Sequence, residues 1–203
     1  MLVAELLVPF SPEDRAQVPL ATHVRGTVLC SSQRALQVRG LYDAYTANLP
    51  APQRSAMLAL SPATWVPMET CVVHYEACDK LGLDSALVDD IGGEMGRRLN
   101  ESSLSALVRM SREAGVTPWA ALTRINRFRE ATWRGGSTAV WKIGPKEARV
   151  EWTGIPCVAI PYFMYAFAGY VRGILEMFCT KAYVRPILAR STDTFVAYKV
   201  SWA

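Results

Sequence analysis

Two periodicities divide the chain. Up to Arg134, apolar residues recur mainly at spacings of three and four; beyond Gly136 the spacing falls to two. The first period marks amphipathic helices and the second half-buried strands. In the first part, Ser31 or Ser32 caps a predicted helix over 31–49 that carries Leu36, Tyr42 and Tyr45, and Pro50 and Pro52 end it. Trp65 opens the next segment. Pro67 suits the first turn of a helix over 68–81, which Gly82 stops. Asp84 or Ser85 caps a helix reaching about Leu99. Gly92, Gly93 and Gly96 inside it each cost about 1 kcal/mol of helix propensity, so their clustering predicts close packing of another backbone. A break over 100–103 and a short helix through Leu104, Leu107, Val108 and Met110 to near Gly115 come next. Thr117 caps a further helix with Pro118 at its first position. Its apolar face is Trp119, Leu122, Ile125 and Phe128, with Arg124, Arg127 and Arg129 elsewhere.

The switch of period follows Trp133-Arg134-Gly135-Gly136. Residues 139–143 read as a strand, Gly144-Pro145-Lys146 as a turn, and 148–152 as the returning strand. A helix over 161–179 and two strands, over 183–188 and 195–202, complete the pattern. Helices followed by strand-strand-helix-strand-strand predict an α+β fold: an N-terminal helical layer packed on a small antiparallel sheet. Residues 1–30 are irregular, punctuated by Pro9, Pro12 and Pro19, with short extended runs at 2–8 and 23–30. A chain of 203 residues is read as one domain over 1–203: an irregular segment (1–30), a mainly helical part (31–134), and the sheet with its helix (135–203).

Composition narrows the class. Apolar residues make up 51% and charged residues 20%, which excludes a disordered chain. The net charge of +4 is too small for a dedicated nucleic-acid binder, although arginine outnumbers lysine 17 to 5. Five cysteines (Cys30, Cys71, Cys78, Cys157, Cys179) at irregular spacing, with no CxxC, give neither a disulfide framework nor a zinc site. They suit a reducing compartment, and the cytoplasm is the expected location. The first residues lack a basic region, and Glu5 interrupts their apolar run, so no signal peptide is read there. Residues 152–171 carry no charge, but Pro156 and Pro161 break the stretch and Arg172 and Glu176 continue its helical pattern. A buried helix explains it better than a membrane span.

Candidate chemistry is sparse. No GxSxG elbow, Walker loop or dinucleotide fingerprint is present. His23 and His74 are the only histidines, and neither has partners at metal-ligand spacing, so no metal and no cofactor are expected. Asp89, Asp90 and Glu94 can share a helical turn, a pattern that exposed helix acids commonly show. The aromatics say more. Tyr162, Phe163, Tyr165, Phe167, Tyr170 and Phe178 crowd one helix. Such a helix is a core element, the lining of an apolar cavity, or a seam between copies. Trp119, Phe128, Trp133, Phe163 and Phe167 are the candidate ligand-binding residues. Tyr165, Gly169 and Gly173 are the candidate homodimer seam, because glycines four apart admit a second backbone.

Several short motifs occur together in this order: His23-Val24-Arg25-Gly26-Thr27-Val28, the Trp65 segment, Thr132-Trp133-Arg134-Gly135-Gly136-Ser137-Thr138, Val171-Arg172-Gly173-Ile174-Leu175-Glu176, and Ala197-Tyr198-Lys199-Val200-Ser201-Trp202. Over roughly residues 20–203 they resemble a family of small proteins expanded mainly in myxobacteria. That family is similar in turn to the ligand-binding superfamily of heme-NO-binding domains, 4-vinyl-reductase-type sensor domains and Golgi-transport tethering subunits. The resemblance implies a helical part on a small antiparallel sheet, often dimeric, with a hydrophobic ligand cavity between the layers and no catalytic residues. Two features depart from it. No histidine matches the proximal haem ligand, and Ser191-Thr192-Asp193-Thr194 stands where the 4-vinyl-reductase type has its cysteine-containing signature. The expected function is a non-enzymatic sensory or adaptor module that binds an apolar small molecule or a signalling protein partner. The alternatives are an enzyme acting on a hydrophobic substrate and an interaction scaffold without a ligand.

Overall fold

A computed structural model of the chain describes residues 4–98 and 117–203. The short helix expected near Leu104–Gly115, and the break before it, lie outside the described residues. The fold is α+β. Five antiparallel strands form the main sheet in the order β1 (Glu5–Val8), β5 (Ser137–Gly144), β6 (Glu147–Thr153), β8 (Phe195–Trp202), β7 (Ala182–Pro186). A second sheet of three short strands places β2 (His23–Arg25) between β3 (Trp65–Pro67) and β4 (Trp133–Arg134).

The helical layer departs from the expected boundaries. Its first helix, α1, runs over Gly26–Val38, so it begins where an extended run is expected and ends well before Leu49. Gly40 ends it with φ +68°. Its N–H donates to the Gln37 carbonyl, and the Leu41 N–H donates to the Leu36 carbonyl. That pair of bonds is the Schellman closure, which needs the left-handed conformation glycine adopts freely. A separate α2 follows over Tyr42–Asn48. Pro50 and Pro52 do more than stop a helix: they start α3 (Ala51–Leu58), where a missing N–H costs nothing. Helix α4 spans Met68–Asp79 and α5 spans Ser85–Arg98, with Asp84 accepting from the Ala86 and Leu87 N–H groups as its cap. The amphipathic segment from Pro118 is two short helices, α6 (Pro118–Leu122) and α7 (Ile125–Thr132), rather than one.

The last helix, α8 (Pro161–Leu175), lies on the inner face of the main sheet. Trp152 of β6 meets Phe167 edge to face at 4.8 Å, and the Tyr198 hydroxyl of β8 donates to the Met164 carbonyl at 3.0 Å. The other side of α8 packs on α5, and the two run in the same direction. Asp89 lies by Gly169 and Gly93 by Gly173, while Gly92 lies by Ala166 and Gly96 by Tyr170. A Cβ on Gly92 or Gly169 would sit 1.8 Å from a backbone oxygen of the facing helix. The close backbone approach predicted from the α5 glycines is therefore real, and its partner is α8 of the same chain. This takes Gly169 and Gly173 out of the expected seam between copies: α5 already occupies their surface.

Candidate functional site

Between α8 and the helical layer, aromatic rings form a continuous column. Phe163 stacks on Phe167 at 5.4 Å, and Phe167 on Tyr170 at 6.0 Å. Tyr75 of α4 meets Phe163 edge to face at 4.8 Å, and Trp133 of β4 does so at 6.1 Å. Phe128 of α7 leans on Tyr170 at 5.6 Å. Offset and edge-on contacts of this kind are the favourable geometries for rings. The sequence dictates the column, because Phe163, Phe167 and Tyr170 recur at the helical spacings of four and three that put them on one face.

The column leaves a narrow apolar cavity of about 20 Å³. Phe128, Trp133, Phe167 and Tyr170 form part of its wall, with Tyr75 and Met95. By that measure it holds about one water molecule. Phe163, Trp152 and Phe167 pack around a neighbouring gap with no measurable free volume. Of the five candidate binding residues, then, Phe128, Trp133 and Phe167 line the cavity, and Phe163 supports it from the next layer. Trp119 lies elsewhere. Its indole N–H donates to the Pro145 carbonyl at 3.0 Å, and its ring meets Trp202 at 4.8 Å. Tyr75 and Met95 escape the sequence reading because each looks like an ordinary core residue of its own helix.

Tyr165, the third seam candidate, faces a groove of about 510 Å³ between α5, α8 and the edge strand β7. The groove is shared with Asp89, Arg172 and Tyr183. Arg172 reaches Asp89 at 2.8 Å, Asp90 at 3.3 Å and Glu176 at 3.5 Å. Burial nonetheless pushes the Asp89 carboxyl up, with the arginine opposing the shift. Glu94 is held by Arg39. The acids of α5 thus act as clamps between helices.

His74 has a different environment. It is fully buried; its Nδ1 lies 2.7 Å from the Tyr45 hydroxyl and its Nε2 2.9 Å from Ser32 Oγ. Burial pulls its pKa down from 6.5 to about 3, so the ring is neutral, and the same burial pushes the Tyr45 phenol up. Cys71 and Cys157 are buried with their sulfurs 3.5 Å apart, and burial raises the Cys71 thiol. Such thiols pack as small hydrophobes.

No protein-family model matches the sequence, and no curated protein matches it. Solved structures do match. An Fe(II) unliganded H-NOX protein mutant from K. algicida aligns with a TM-score of 0.65 at 9% identity, covering 88% of this chain and 96% of that one. An oxygen-binding H-NOX domain related to soluble guanylate cyclases, solved as its oxygen complex, gives 0.55 at 15% identity, covering 87% and 92%. A mutant H-NOX of T. tengcongensis gives 0.53 at 14%, covering 88% and 97%. The chain has the H-NOX fold, as the heme-NO-binding part of the resemblance implies. Among the described residues, no helix is long and apolar enough to cross a membrane.

Proposed function

We propose that the protein is a sensory or adaptor module of H-NOX fold whose signal is an apolar small molecule taken up between α8 and the helical layer. The observation that carries this reading is the apolar cavity at the meeting point of α1, α4, α5, α7, α8 and β4, walled by residues from all six. Ligand pockets are typically apolar and few per protein, and they favour such junctions. Phe128 is the half-buried aromatic of the wall, whereas Tyr75, Trp133 and Phe167 are buried. A guest larger than a few atoms enters by turning Phe128 outward. That movement shifts α7, which leads directly into β4, and the guest stabilises the turned-out state by its differential affinity.

Haem is the group that the fold neighbours imply, since one of them is described by haem distortion in the H-NOX family. The residues here do not fit it. The free volume is about 20 Å³, far below the roughly 300–1,000 Å³ of a pocket for a drug-sized ligand, and turning one ring outward makes room for a small guest but not for a macrocycle. Both nitrogens of His74 face hydroxyl partners, and His23 lies on β2 with its Nδ1 at 3.1 Å from Thr22 Oγ1. No step of the proposed function passes through haem.

Thermal shift with a panel of small apolar molecules, read beside native mass spectrometry, tests the reading. A stabilising compound that also appears as a mass adduct is the expected result. The Ala166→Leu variant, which fills the cavity, should cancel both. A panel without effect on the melting temperature, or a shift that survives Ala166→Leu, overturns it.

A further inference from the structure

The outer face of the main sheet carries a further recess, of about 380 Å³, on the side opposite α8. Trp141, Arg149, Glu151 and Phe195 contribute from the strands. Arg15 closes one side from the turn Arg15–Gln17, and Arg190 another from Leu188–Arg190. In the strand register, Ala139 and Ala197 flank Glu151, so no long neighbour fills the space beside it.

The charges are arranged against their own repulsion. Glu151 is buried and fully engaged: Arg149 Nε donates to it at 2.7 Å, the Trp141 indole N–H at 3.1 Å and Arg190 at 3.5 Å. Arg149 lies over the Trp141 ring at 4.9 Å, and Arg15 lies over Phe195 at 4.4 Å without a carboxylate partner among the described residues. Three guanidiniums thus face one carboxylate. The neighbouring row adds to the excess, because Arg149, Lys199 and Arg185 sit directly opposite one another on adjacent strands. Like charges in register destabilise a sheet. Among the described residues Glu147 pairs with Lys199 alone, at 3.4 Å.

We propose that this recess binds a small phosphate monoester carrying a flat ring. Three guanidiniums less one carboxylate leave two positive charges, which a phosphate monoester of about −1.5 to −2 at neutral pH matches and a single carboxylate does not. Glu151 holds Arg149 by Nε, which leaves its terminal nitrogens for the ligand. Arginine forks suit phosphate oxygens, and a guanidinium already stacked on a ring presents its other face to a ligand ring. The volume exceeds what inorganic phosphate alone fills. The site is independent of the cavity on the inner face.

Calorimetric titration of the full chain with phenyl phosphate, inorganic phosphate and benzoate tests the proposal. Phenyl phosphate binds tightest, inorganic phosphate more weakly and benzoate weakest, with affinity falling as salt rises. Arg15→Ala and Arg190→Ala, both at exposed positions, each weaken phenyl phosphate by roughly tenfold or more. Ala166→Leu leaves this binding unchanged, which separates it from the inner-face reading. In the wild-type protein, the Trp141 indole N–H resonance moves on addition of phenyl phosphate. No binding at millimolar concentration, equal binding of benzoate, indifference to both arginine variants, or tight binding of an acidic peptide in place of phenyl phosphate overturns the proposal.

Discussion

The two faces of the main sheet share one alternating backbone and put it to opposite uses. Inward, Val140, Val150, Trp152, Val196 and Tyr198 are almost wholly excluded from solvent. They meet α8, which is locked to α5 by glycines that leave no room for a methyl group. Outward, the same strands display Trp141, Arg149, Glu151 and Lys199, and the packing gives way to a charged recess. Stability is thus concentrated on one face, and the other tolerates repulsion that it would lose nothing by shedding. Where a structure keeps a destabilising arrangement, the cause is sought in binding rather than in folding.

That contrast can be broken from the inside first. Gly169→Ala drives a Cβ into the Asp89 carbonyl, and backbone cannot yield as a flexible side chain would. Expression should give little or no folded protein; a variant melting near wild type would mean that α5 and α8 are not in contact. Trp133→Ala, which empties a buried ring position beside the cavity, should cost about 3–5 kcal/mol, measured by urea unfolding. The third test is acid. His74 is neutral when folded, with its pKa lowered by burial to about 3 from 6.5, so the unfolded chain binds the extra proton. Its contribution to stability is complete above pH 6.5 and is lost as pH falls towards 3, at up to about 1.4 kcal/mol per pH unit. His74→Phe should flatten that part of the profile even if it lowers stability overall.

On the outer face the effects should shrink. Glu151→Gln removes the charge that gathers two arginines and should cost about 1–3 kcal/mol. Arg190→Ala, at an exposed side chain, should move stability by less than about 0.5 kcal/mol in thermal unfolding. A larger loss from Arg190→Ala than from Trp133→Ala would invert the comparison.

The sequence carries much of this plan. The hairpin β5–β6, the span of β8 and the start of α8 at Pro161 all follow from local period and turn chemistry, which tertiary contacts then reinforce. The α5 glycines announce a close backbone approach, yet nothing local says that Gly169 and Gly173 are its other half rather than an interface with a second copy. Gly40 sits within a run of otherwise helical pattern, so its role as a stop emerges only with the bonds to Leu36 and Gln37. The column through Phe163 and Phe167 is legible as one helix face. Tyr75 and Met95 join it by long-range packing that no spacing encodes. The arginine recess is the least legible, since Arg15, Arg149 and Arg190 come together only when the sheet register is known.

The placement of β2 bears on how the chain reaches this state. Thr22 bonds to Arg134 across 112 residues, and Ser11 bonds to Ser137 across 126. Strand β1 therefore lacks its partner until β5 is made, and β2, which can pair early with β3, lacks its second neighbour until β4 is made. Pairings of such separation close large loops before any contact rewards them, which makes folding slow. During synthesis β1 waits unpaired while β2 can already pair with β3, and the helices between can consolidate before the main sheet closes on them.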